Sequence, residues 1–437
     1  MKTIRSFTLP HFLSAALLLG SLRATEPALH EPPLPAIPPR TFKVTDFGAK
    51  GDGVTDNTKA VQAAINAASA KGGGAVIVPG GNFLCGPIQL ASHVKLRVEA
   101  GATLSMLPLD KYPGGTSNPA NFISGSKLQD VAVSGPGTID GQGSAWWPFA
   151  RTTDAKRPRM IALSGCDRVL IEKITLKDSP MFHIAVGGKS SNITVRGVTI
   201  RTPASDDPVN PSHNTDACDV SGKNILIRDC DVSVGDDDFT CGGGTSDVLI
   251  THCTYGNGHG VSIGSGTKGG VSNFTVTDCT FKGTECGIRI KSDRDRGGVV
   301  SNLAFRNLRM TDVGIPILIY AAYMATGKEF RDLNKLTPEI AATYPAAPLT
   351  ERTPVYRDIV FSDITATVQS GKIASLIWGL PEAPASNVVL RNVNITADKP
   401  FAIYHAEKVR VENCTITTPE GVNQFATHRA EIEVVPH

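Results

Sequence analysis

The chain has 437 residues, with 43 Lys+Arg against 41 Asp+Glu for a formal net charge of +2, and is 41% hydrophobic and 19% charged. That balance excludes the clustered basic excess that wraps nucleic acid, so nucleic acid is not an expected partner. With 43 Gly and 29 Pro, the composition favours tight turns and β structure over long helices or disorder.

At the N-terminus, Lys2 and Arg5 precede an apolar run from Phe12 to Leu22, and Leu22 and Ala24 fit a small-residue cleavage site. Residues 1–24 read as a signal peptide, residues 25–40 as an extended Pro-rich leader, and residues 41–437 as the folded part. The apolar run is too short to cross a bilayer, and no later segment approaches the roughly 18 residues needed. A secreted or periplasmic protein without a membrane span is expected. Next, Asp56 is placed to cap a helix carrying Ala60, Val61, Ala64, Ile65 and Ala68 on one face and ending at Gly72, Gly73 and Gly74. No GK[ST] follows, and the glycines end the helix rather than begin it, which argues against a phosphate loop.

The rest of the chain repeats. RVLIEKITL, NITVRGVTI, NILIRDCDV, DVLITHCTY, NFTVTDCTF, NLAFRNLRM, DIVFSDITA, NVVLRNVNI and KVRVENCTI each read as a strand, a tight bend and another strand. Aligned, they stack Ile174, Val198, Cys230, Cys253, Cys279, Leu308, Ile364, Val393 and Cys414 in one column, at spacings of 24, 32, 23, 26, 29, 56, 29 and 21 residues. A strand-only unit of this period is one coil of a parallel β-helix, in which stacking buries the face that no coil can bury alone. The predicted N-terminal helix is the natural lid for its open end. The 56-residue gap contains a polar, Pro-bearing stretch at about 324–357, expected to be a loop excursion from one coil.

Nine cysteines in an exported chain invite disulfides. Cys230, Cys253, Cys279 and Cys414 occupy a column otherwise filled by Ile, Val and Leu, which makes them small buried hydrophobes. Cys218, Cys241 and Cys286 remain candidates for pairing. No cysteine and histidine spacing suits a zinc site, and no metal is expected.

Four constellations fall on consecutive coils: Asn214-Thr215-Asp216, Gly235-Asp236-Asp237-Asp238, Gly258-His259-Gly260 and Arg289-Ile290-Lys291. An Asp run alone marks a solvated turn or a calcium site more often than an active site. A lone His259 is more often a satisfied local residue, and Arg-x-Lys is usually a wet strand face. Together they present acid, acid, imidazole and paired cations at similar phase, which surface decoration does not explain. Carboxylates on neighbouring coils, about 5 Å apart at the backbone, raise the pKa of at least one member and so supply an acid beside a base, as glycosidases need. Arg289 and Lys291 suit an anionic substrate, and an acidic sugar polymer fits.

In these motifs, NTD, GDD, GHG and RIK in that order, the chain resembles the polygalacturonases of glycoside hydrolase family 28 over nearly its whole mature length. The stretch DFGAKGDGVTDNTKAVQAAINAA is similar too, though less specific. The resemblance implies an all-β, single-stranded right-handed parallel β-helix of the pectin-lyase-like type, and hydrolysis of α-1,4 bonds in pectin with inversion and no metal or cofactor. It implies Asp236 as general acid, Asp216 and Asp237 as the pair activating water, and His259 as the tuner of the acid. Asn214, Arg289, Lys291 and Tyr323 would contact substrate, with Tyr320 competing for the last role. Ala217 stands where the family usually has Gly, and Asp238 where Cys or Asn is common; strand alternation turns Asp238 away from Asp237. Carboxylates about 5 Å apart usually predict retention, and inversion about 6.5–9.5 Å, so inversion here rests on the resemblance alone.

Two rival readings use the same fold. A calcium-dependent pectate lyase would need carboxylates arranged around the ion, and GHG with the RIK pair fits hydrolysis better. A non-catalytic polysaccharide-binding β-helix would have no turnover to lose. The 324–357 excursion is the candidate blocker that would set mid-chain or end-wise cleavage.

Overall fold

The computed structural model describes residues 31–152, 154–325, 328–330 and 332–435. The expected signal peptide and the leader up to residue 30 lie outside them. Residues 31–40 run extended without a regular element, tied to the coil where Ala36 N donates to Asp130 Oδ1 (2.9 Å) and Arg40 O accepts from Ala75 N (2.8 Å).

The rest winds into a right-handed parallel β-helix of 32 strands in one continuous sheet. Its strands form three parallel ladders. The one that matters for function, called the front sheet, runs through Ile88–Gln89, Ile123–Ser126, Ile161–Ser164, the first halves of Ile184–Arg196 and Cys218–Arg228, then Phe239–Cys241, Val261–Ile263, Cys286–Lys291, Ile315–Tyr320 and Ile373–Trp378. One pairing among the described strands is antiparallel, Thr415–Thr418 with Gly421–Val422 at the last coil.

The expected column is buried throughout, and Cys279, Leu308, Ile364 and Val393 stand in register coil upon coil. Elsewhere in the interior Phe239, Phe274, Phe305 and Phe361 follow one another with ring centroids 5.8, 6.4 and 4.9 Å apart; burying each such ring contributes about 1.5–3 kcal/mol. The Asn or Asp that leads the repeats has a clear cause. Asn192, Asn224, Asp247, Asn273, Asn302, Asp358 and Asn387 all turn the chain with φ between 52 and 60°, a left-handed conformation that Asn and Asp tolerate best after Gly. Their side chains also link the coils, with Asn224 Nδ2 donating to Asn192 Oδ1 (2.7 Å) and Asn302 Nδ2 to Asn273 Oδ1 (2.6 Å).

The lid is α1, Thr58–Ala70, with Val61, Ala64, Ile65 and Ala68 buried. It starts later than expected. Asn57 holds the cap position but directs its side chain to Lys50, and Asp56 Oδ1 accepts from Thr58 N (2.9 Å) instead. All nine cysteines are free and buried, which corrects the expectation that Cys218, Cys241 and Cys286 might pair. They point inward opposite Ile184, Ile263 and Ile315 on neighbouring coils.

The excursion is no bare loop. It carries α2, Pro338–Thr343, capped where Thr337 Oγ1 accepts from Ile340 N (3.3 Å). It lies on the front sheet beyond Lys291, packing Phe330 and Tyr344 on Trp378 with centroids 5.9 and 5.5 Å away.

Candidate active site

The four constellations meet on the outer face of the front sheet. Strand alternation sends Ile288 and Ile290 inward and Arg289 and Lys291 outward. Residues Asp219, Thr240, Ser262 and Arg289 stand in register along that face.

Turn geometry sets the acids. Thr215 is buried; its hydroxyl donates to Ser212 O (2.7 Å) and accepts from Gly235 N (3.0 Å), pinning one acidic turn to the next. A Cβ on Gly235 would lie 2.1 Å from Ser212 O, so glycine is required there by close approach. Asn214 Nδ2 donates to Asp236 Oδ2 (3.2 Å) while its Oδ1 accepts from Arg157 (3.1 Å). Ala217 N donates to Asp237 O (2.9 Å), which fixes the two acidic coils in register.

Asp237 is clamped. Arg289 donates to its Oδ1, Ser262 Oγ donates to the same oxygen (2.7 Å), and Lys291 Nζ lies 3.1 Å from Oδ2. Burial would raise its pKa, but the Arg289 and Lys291 charges prevail and hold it below the ordinary value. His259 bridges two acids, with Nδ1 3.1 Å from Asp236 and Nε2 3.0 Å from Glu285. Burial opposes its charge, yet the two carboxylates lift its pKa to about 10. Burial likewise pushes Asp236 up, but the bond and charge of His259 bring it down to about 2. Asp216 has no such partner. Burial first, then the charges of Asp236 and Asp237, raise its carboxyl well above the ordinary value, and its Oδ1 is buried without a hydrogen bond. The site therefore sets one carboxyl pushed toward its neutral form beside carboxylates and an imidazole pushed toward their charged forms.

Asp238 turns away from the clamp, as alternation predicts. It is 1% exposed, accepts from Gly260 N at Oδ2 (2.9 Å), and leaves Oδ1 without a partner. A Cβ on Gly258 would come within 2.4 Å of its oxygens, which explains the first glycine of GHG. The two candidate tyrosines differ in exposure. Tyr320 is buried and donates to Phe330 O, whereas Tyr323 is 37% exposed with Lys291 Nζ 5.3 Å from its ring centroid. Tyr323, Lys291, Arg289 and Glu285 line a cavity of about 360 Å³.

Glu285, Ser262, Arg157 and His183 have no motif to announce them. His183 is fully buried, its pKa lowered to about 4 by burial, and its Nδ1 donates to Asp216 O (3.3 Å) as a neutral ring. Asp236, Asp237 and His259 offer donor atoms within 4.8 Å of one another, but Arg289, Lys291 and Glu285 already engage these groups. Two fixed cations on Asp237 oppose a divalent ion there.

The chain is similar to known proteins over most of its length. The model of the glycosyl hydrolases family 28 matches residues 69–416. An exopolygalacturonase of Zea mays is 30% identical over 395 residues, covering 86% of this chain and 90% of that one. An endo-polygalacturonase of Pectobacterium carotovorum subsp. carotovorum is also 30% identical, covering 79% and 86%. The solved polygalacturonase from Erwinia carotovora ssp. carotovora superimposes with a TM-score of 0.69 at 28% identity, covering 86% of this chain and 97% of that one.

Proposed function

The chain belongs to the glycosyl hydrolases family 28, and from that premise we propose how its residues divide the work. The protein is a polygalacturonase-type glycosidase that hydrolyses polygalacturonate. The observation that carries the assignment is the convergence of Asp216, Asp236, Asp237, His259, Arg289 and Lys291 on one outer face.

Asp236 is the general acid toward the leaving oxygen. It needs a proton at the moment of cleavage, and His259 holds one 3.1 Å away. A galacturonate carboxylate beside Arg289 and Lys291 brings negative charge to the site, which raises the pKa of neighbouring carboxyls and favours transfer of that proton to Asp236. Asp216 and Asp237 receive the attacking water. Asp237, oriented by Ser262 and its two cations, and Asp216, whose pKa burial and its acidic neighbours raise, take the water proton between them. Attack from the face opposite the leaving group inverts the anomeric centre. Asn214 holds Asp236, and Tyr323 offers a sugar its ring beside Lys291. Among the described residues no helix is long and apolar enough to cross a membrane; Lys2, Arg5 and the apolar run to Leu22 support export.

The test incubates the protein with polygalacturonate, following reducing ends, ultraviolet absorbance and the anomer first released. Hydrolysis with inversion gives reducing ends of inverted configuration, no unsaturated product, and no loss on adding chelator. An absorbing product abolished by chelator would establish elimination instead.

A further inference from the structure

Upstream of the acids the front sheet is hollow. Its outward positions carry small side chains, Ser124, Ala162 and Ala185 in one register and Ser126, Ser164 and Gly187 in the next, and a cavity of about 780 Å³ lies over them. Arg159 borders this cavity together with Asp219. Its guanidinium carbon lies 5.2 Å from the Phe182 ring centroid, a stacking that orients the group. Among the described residues the Arg159 side chain has no hydrogen bond or ion pair, and Nε is buried without a partner. The neighbouring Arg157 differs, since its donors are committed to Pro180 O, His213 O and Asn214 Oδ1. An oriented guanidinium with free donors, bordering a roomy cavity that continues the site, is built to take a carboxylate in fork geometry.

We propose that Arg159, which stands three coil steps, or about 14 Å, upstream of Asp237, binds the carboxylate of a uronate unit lying in this cavity. It thereby sets the preference for longer acidic chains. This inference rests on the hydrolase reading of the acidic cluster. Asp219 faces the same space. Burial raises its pKa to about 6 against the lowering effect of Arg159, and it is placed to accept from a sugar hydroxyl while the guanidinium takes the carboxylate.

The test compares tetragalacturonate with digalacturonate as substrates of the wild type, R159Q and R159K. The ratio of kcat/KM for the longer over the shorter substrate is expected to fall about 10- to 100-fold in R159Q, as for loss of a charge-assisted bond, and to recover in part in R159K. An unchanged ratio, or an equal loss on both substrates, overturns the assignment. Titration calorimetry of tetragalacturonate onto D236N with and without R159Q reads binding apart from turnover. Equal affinities overturn the role of Arg159 whatever the kinetics. Weaker affinity in the double variant supports it, even if the wild type proves unable to cleave galacturonate, an outcome that would sink the hydrolase reading alone.

Discussion

The front sheet runs without a break past Lys291, yet its outer face changes character there. Along one register the outward residues are Asp219, Thr240, Ser262 and Arg289, then Leu318, Leu376 and Ala402. In the neighbouring register Lys291 is followed by Tyr320, Trp378 and Tyr404. The inward face does not change, with Ile263, Ile290, Ile319, Ile377 and Ile403 continuous across both regions. The backbone ladder and interior therefore hold the coil together in both places, which leaves the outer face free to specialise. In the first region it carries charge and adjoins cavities. In the second it carries aromatics and is roofed by the excursion, with Trp378 and Tyr404 0% exposed.

Substitutions in the two regions should consequently fail in different ways. Asp236→Asn removes the proposed proton donor but changes neither shape nor interior, so kcat should fall by about 10²–10⁴ while thermal unfolding stays within a few degrees of wild type. An equally large fall in unfolding temperature would mean that the charged face is structural after all. Trp378→Ala should show the reverse. Removing a fully buried indole packed on Tyr320, Phe330, Tyr344 and Tyr404 should cost about 3–5 kcal/mol in denaturant unfolding. At temperatures where the variant is folded, kcat should be retained to within a few fold.

A pH series sharpens the contrast, because the titrating network belongs to the charged region. His259 has its folded pKa raised to about 10, so between its ordinary value near 6.5 and that point the native state binds a proton that the unfolded chain has lost. Its contribution is full below pH 6.5 and drains away as pH rises to 10, by at most about 1.4 kcal/mol per unit. Asp236 and Glu285, both lowered to about 2, act in the other direction, contributing above about pH 4 and losing that contribution as pH falls through 2. Unfolding of His259→Gln followed from pH 6 to 10 should show a shallower alkaline decline than wild type. Parallel curves would show that the imidazole is not held between the two acids.

The charged region was largely legible in the sequence, and the roofed one was not. Asp216, Asp236, Asp237, His259, Arg289 and Lys291 lie in short motifs whose spacing matches one coil, so period and chemistry coincided. The interior column was legible for the same reason. The excursion had no such period. Phe330, Leu333, Leu336 and Tyr344 are spread among Pro and polar residues, and nothing in their order tells that Trp378 and Tyr404 are what they cover. Glu285 and Ser262 escaped because each acts as a single residue whose partner lies on another coil. Tyr323 was separable from Tyr320 only once the strand was seen to end at Tyr320.

Asp238 borders the charged region but faces the interior, and it gives the smallest effect expected. Burial raises its pKa well above the ordinary value, so the native carboxyl gives up its proton at higher pH than the unfolded one, which ionises from about pH 3.8 upward. That difference destabilises the fold progressively as pH rises toward the folded pKa. Asn has the same shape, can still accept from Gly260 N, and carries no proton to lose. Asp238→Asn should therefore match wild type near pH 4 and exceed it in stability at pH 8, with kcat/KM within about threefold. A variant less stable than wild type at pH 8 would mean that Asp238 is ionised in the fold and held by a charge partner. The boundary between the two faces of the strand would then have to be drawn one residue further into the interior.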